Sequence, residues 1–101
     1  MLTNLKEAAA NLPFSWKSSV VGHTGGANLK VLRMDECSYA AEAHEYVEAL
    51  IVLEGCMNLS IEDQVVKVQA GEMYLVPSGL QHGVAAGSYG TLLIVDPSNG
   101  R

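Results

Sequence analysis

Basic residues are scarce in this chain. Lys6, Lys17, Lys30, Arg33, Lys67 and Arg101 stand against eleven acids, for a net charge of −5, and they form no run or stripe. A nucleic-acid-binding surface needs clustered cations, so that class is set aside. Cysteine is nearly absent too. Cys37 and Cys56 are far apart and make no disulfide framework, zinc knuckle or C-x-x-C pair, so both read as buried free thiols. No apolar run approaches membrane-spanning length, and the first thirteen residues lack the basic flank and unbroken apolar stretch of a secretory signal. No membrane association and a cytoplasmic location follow as expectations. Repeats and low-complexity segments are also missing.

What is there suits one folded domain. A length of 101 residues allows one modest core and hence one site, and 49% hydrophobic with 17% charged residues is ordinary globular composition. Residues 3 to 12 are helix-prone, with Thr3 as cap, Leu5, Ala9 and Leu12 on one face, and Pro13 ending the run. Segment 1–13 is therefore assigned as an N-terminal helical piece, and 14–101 as a single barrel or sandwich. From Phe14 onward the chain changes to short apolar or alternating runs: 18–23, 28–34, 50–53, 57–61, 64–70, 73–77 and 91–95. Gly, Pro, Asn or Asp separates most of them. That is the texture of an all-β domain with mostly antiparallel neighbours.

One stretch resists this reading. From Met34 to Val66 there is no Lys or Arg, yet Glu42, His44, Glu45, Glu48 and Glu54 crowd into thirteen residues. By propensity alone, Ala40 to Leu50 is helical. On a strand, Glu42 and His44 share a face, but His44 and Glu48 lie roughly 13 Å apart at about 3.3 Å per residue. For His44 and Glu48 to meet, the chain must turn a corner near Glu45-Tyr46-Val47.

Two motifs here resemble those of the cupin superfamily, in its small single-domain form. The segment E42-x-H44-x3-E48-x6-G55 is similar to the first cupin motif, H-x-H-x(3,4)-E-x(6)-G, with Glu42 where the first His is usual. Downstream, G71-EMYLV-P77-S-G79-LQ-H82 matches G-x(5)-P-x-G-x(2)-H, while the usual final Asn falls on Ala86. The fifteen residues between Gly55 and Gly71 suit a small member. The resemblance implies an all-β double-stranded β-helix, a jelly-roll barrel with a short N-terminal helix, and it overrides the helical propensity of Ala40 to Leu50. Gly55 and Gly71 are expected where one strand ends and another starts. Pro77 and Gly79 are expected in a tight turn that delivers His82 to a strand, with Ala86 on the same wall.

The resemblance also gives the carboxylates a purpose. Two of them about 4 Å apart at an effective dielectric of 20 repel by roughly 4 kcal/mol, and a cation reverses that sign. The implied ligands are His44, Glu48 and His82, a set that suits Fe and accepts Mn, Ni, Co or Zn. Glu42 is a fourth metal ligand, an acceptor orienting His44, or a catalytic general base. The implied activities run from metal-dependent dioxygenases and isomerases to metal-free, non-enzymatic binding or sensing of a small organic ligand, and a homodimer joined through sheet edges is the expected assembly. Tyr46 stands in the corner as a candidate pocket phenol. Trp16, Tyr39, Met57, Met73 and Tyr74 read as core or pocket lining. Lys30 and Arg33 are expected at the surface, His23 in a loop, and Glu45, Glu54 and Glu62 in solvent.

Overall fold

In the computed structural model, which describes residues 1–98, the chain opens with α1 (Leu5–Ala10). Its cap is Asn4 rather than Thr3. Asn4 is extended, and its side-chain oxygen accepts the Glu7 backbone N–H at 3.0 Å, satisfying one of the free donors of the first turn. The far end of the helix is closed by Arg33. Its guanidinium donates to the carbonyls of Ala9, Ala10 and Leu12 at 2.9–3.1 Å and to Ser15 Oγ, joining charge to the negative end of the helix. Ala9 is fully buried beneath it.

Eight strands follow among the described residues: β1 (Ser19–Thr24), β2 (Ala27–Asp35), β3 (Tyr39–Glu42), β4 (Glu48–Ile61), β5 (Gln64–Gln69), β6 (Met73–Val76), β7 (His82–Val84) and β8 (Tyr89–Pro97). All pairings are antiparallel. The order across the curled sheet is β1-β2-β8-β4-β7-β3, and β5 and β6 also lie against β4. The all-β jelly-roll expectation holds, and residues 40–50 contain no α-helix. His23 lies on β1, exposed, rather than in a loop.

The fold turns on β4. Its first half pairs with β6 and β8, and its second with β5 and β7. Gly55 does not end a strand, as its sequence position suggests; 50–53 and 57–61 are one continuous strand running through it. The register against β8 slips between Val52 and Glu54. That extra residue reverses the phase of the side chains: Glu48, Leu50 and Val52 point inward before it, Met57 and Leu59 after it. The slip demands glycine twice. Gly55 (φ 85°) faces Gly90 (φ 103°), and a Cβ on either would fall 2.1 or 2.0 Å from the backbone oxygen of Tyr89 or Glu54.

The core comprises Leu32, Met34, Leu50, Val52, Met57, Leu59, Val68, Val76 and Leu92, with Trp16 and Tyr74 packed against it. Met73, read as core or pocket lining, is 57% exposed because it alternates with the inward Tyr74 and Val76. Cys37 is exposed and Cys56 half-buried, so the buried-thiol expectation fails at Cys37. Glu45, Glu54 and Glu62 are exposed as expected. Among the described residues, no helix is long and apolar enough to cross a membrane.

Candidate functional site

The curled sheet encloses a cavity of about 230 Å³ reached by side chains of β2, β3, β4, β7 and β8 and of the segment before β1. The corner required between His44 and Glu48 exists. β3 stops at Glu42, residues 43–47 bend, and β4 starts at Glu48. The bend is tied to the turn before β7, because the Gly79 N–H donates to the His44 carbonyl at 2.7 Å. Gly79, at φ 83°, makes that turn at a dihedral most residues avoid. This bond adds to the β3–β7 and β4–β6 ladders that join the two sequence motifs.

Glu42 and His82 are register partners on β3 and β7. Glu42, His44 and His82 each bring a potential ligand atom within 4.8 Å of the other two. Glu48 is outside that group but reaches His82, its Oε1 lying 3.2 Å from Nε2. The site grades from outside inward: the Glu42 side chain is 48% exposed, His44 21%, and His82 and Glu48 are buried.

The hydrogen bonds fix the chemistry of His82. Its Nδ1 lies 3.0 Å from the Leu80 carbonyl, which can only accept, so Nδ1 carries a proton. In the neutral ring this leaves the Nε2 lone pair facing the Glu48 carboxylate. Two lone pairs at that separation need a proton or a metal ion between them. His44 Nε2 likewise lies 3.0 Å from Glu42 Oε1. Each imidazole therefore meets a carboxylate at its Nε2 edge, a donor set that suits a divalent transition metal.

Tyr46 stacks on His44 with ring centroids 4.7 Å apart and planes 7° from parallel. It lines the cavity, and burial, followed by the negative charges of Glu48, Asp96 and Glu42, pushes its phenol up from the usual tyrosine range. Ala86 lies beyond the end of β7, its carbonyl accepting from the Asn58 side chain, and it is not part of the cavity wall. Trp16, Tyr39 and Met57 do line the cavity.

The inward cation is Lys30, not a surface residue. It lines the cavity and pairs with the buried Asp96, which also accepts from Asn28 Nδ2 at 3.1 Å. The cue in the sequence is parity, since Lys30 shares a face with Leu32 and Met34. Its partner depends on the register of β2 against β8, which puts Asn28 opposite Asp96, and nothing local announces that pairing.

A comparison with curated proteins finds no significant match. Among solved structures, a cupin-2 domain protein from Shewanella frigidimarina is 26% identical with a TM-score of 0.86, over 95% of this chain and 94% of the other. A protein from Neisseria meningitidis is 21% identical with a TM-score of 0.82, over 97% and 100%. The polyketide cyclase RemF from Streptomyces resistomycificus is 29% identical with a TM-score of 0.64, over 70% of this chain and 54% of the cyclase. The family model of the cupin domain matches residues 31–96. Those residues include both motifs, all of β3 to β7, the second half of β2 and all but the last residue of β8, and the chain belongs to the cupin family.

Proposed function

We propose that this protein binds a divalent metal ion through Glu42, His44 and His82, with Glu48 as a further ligand on the His82 side, and that the metal holds a small organic molecule in the cavity. The observation that carries this reading is the orientation of His82. Its ring is locked by the Leu80 carbonyl with Nε2 turned to a buried carboxylate, an arrangement that a cation resolves. Charge supports it as well. Glu42, Glu48 and Asp96 outnumber Lys30 by two around the cavity with the imidazoles neutral, and a divalent ion cancels that excess.

A bound ion would supply a Lewis-acid or redox centre with positions open to a chelating ligand, the requirement of oxygenase and isomerase chemistry. The residues do the rest. The Leu80 carbonyl orients His82, Tyr46 braces the ring of His44, and Glu42 at the open rim ligates the ion or accepts a proton from the incoming molecule. The likeness to a polyketide cyclase supports an organic ligand rather than a purely structural metal.

Metal analysis of tag-free protein tests the proposal. One ion per chain is expected in the wild type, and near-complete loss in the folded H44A/H82A double variant. Unchanged metal content in that variant overturns the ligand assignment. A metal-free wild type that still binds small molecules supports a non-enzymatic binding module instead.

A further inference from the structure

The cavity has two chemically different ends, and the strand registers say which residues occupy each. Lys30, Ile94 and Leu50 lie in one row across β2, β8 and β4, and Leu32, Leu92 and Val52 in the next. On β7, His82 is opposite Glu42, whereas Val84 is opposite Tyr39 and Leu59. One step along the strands therefore replaces Lys30, Glu42 and His82 with Leu32, Tyr39 and Val84. The polar end holds the candidate metal ligands, and the other end is apolar.

That apolar end is finished by Trp16, the one tryptophan of the chain. Trp16 sits at φ 66°, a left-handed conformation unfavourable for a bulky residue. Three anchors hold it there. Its backbone N–H donates to the Arg33 carbonyl at 2.9 Å, its indole N–H donates to the Asp35 carboxylate, and its ring stacks on Tyr39 with centroids 5.8 Å apart. Both rings line the cavity, and Tyr39 remains 43% exposed. Together these anchors fix the plane of the indole beside Tyr39, so the aromatic face is set before any ligand arrives.

Size sets a further limit. A dry cavity of about 150 Å³ accommodates benzene, so about 230 Å³ holds one ring with a few polar substituents within its walls, and anything larger has to extend past the exposed Glu42 and Tyr39. We propose that the ligand is a single-ring, planar molecule whose polar group lies at the Glu42, His44 and His82 end while its ring lies against Trp16 and Tyr39. This deepens the metal-and-ligand reading by naming the substrate class, and it rests on that reading only for the ligand's polar group.

Benzohydroxamic and acetohydroxamic acids separate the two ideas. They share one uncharged chelating head and differ in a phenyl for a methyl. Calorimetric titration of both into manganese-loaded and chelator-treated protein yields two independent ratios. The ring ratio is expected to be about tenfold in favour of the phenyl compound, the scale of an aromatic contact added to apolar burial. In W16L it should fall to about twofold or threefold with metal content unchanged, and W16F should keep most of it. Y39L, assayed in parallel, should reduce it as well. A ring ratio near one in the wild type overturns the inference, as does a ratio unaffected by both W16L and Y39L. The metal ratio, common to both probes, reads the other proposal. Ring preference without any metal effect supports the aromatic wall and counts against the metal, whereas a metal effect without ring preference does the reverse.

Discussion

Asp35 shows how one side chain sets the position of another. The indole N–H of Trp16, and then the backbone N–H of Cys37, hold its carboxyl below the usual aspartate range. A depressed folded-state pKa stabilises the folded form fully above the unfolded value of about 3.9, and that contribution disappears as pH falls through the lower folded value. The fluorescence of the single tryptophan should therefore stay constant from neutral pH down to about 4 and change only below it. D35N should abolish this transition; a transition that persists in D35N places its origin elsewhere. The same Asp35 charge pushes the Cys37 thiol up, which makes that exposed cysteine a poor nucleophile at neutral pH. At this scale the sequence was partly legible. The spacing of Glu42, His44, Glu48 and His82 marks them out, because a family motif records side chains that must converge. Trp16 could be read only as core or lining, since the features that set it apart are a backbone dihedral and a partner nineteen residues away.

Among the elements, α1 is too short to persist unaided, since isolated helices below about 12–15 residues are marginal in water. It depends on Arg33 of β2, whose guanidinium donates to the carbonyls of Ala9 and Ala10 at its end and of Leu12 just beyond it. R33M keeps the aliphatic stem but removes those hydrogen bonds, leaving the Ala9 carbonyl with the Leu12 N–H alone. It should lower unfolding free energy by about 1–3 kcal/mol in urea titrations and speed hydrogen exchange through residues 5–10 while leaving that of β4 and β8 unchanged. Composition and Pro13 make the helix itself legible, yet its cap falls one residue later than Thr3 because Asn4, in extended backbone, has the better-placed oxygen. The strand pattern is equally readable except at β4. There a glycine within an apolar run has two meanings, an end or a bulge, and only the tertiary partner Gly90 decides between them.

For the molecule as a whole, the site ties together pieces distant in sequence: β3, the bend at 43–47, the first residue of β4 and the first of β7. An ion held there cross-links them in the folded state alone. At a hundredfold excess over its dissociation constant it adds about 2.7 kcal/mol, which for a domain of this size raises the melting temperature by roughly 10 °C or more. Thermal unfolding of wild type with and without added manganese should show that shift, and H44A/H82A should not. The all-β class follows from the texture of short apolar runs and the spacing of turns. The grading of the cavity from polar to apolar does not, because it depends on registers between strands as remote in sequence as β2 and β8 or β3 and β7.

The phase reversal inside β4 reaches beyond the chamber itself. One strand contributes Glu48 to the hydrophilic half of the chamber and, past the Gly55–Gly90 crossing, Met57 and Leu59 to the greasy half. The face that β4 turns to the chamber is thus switched by two residues that do not line it, so both glycines are constrained by the chamber although neither belongs to its wall.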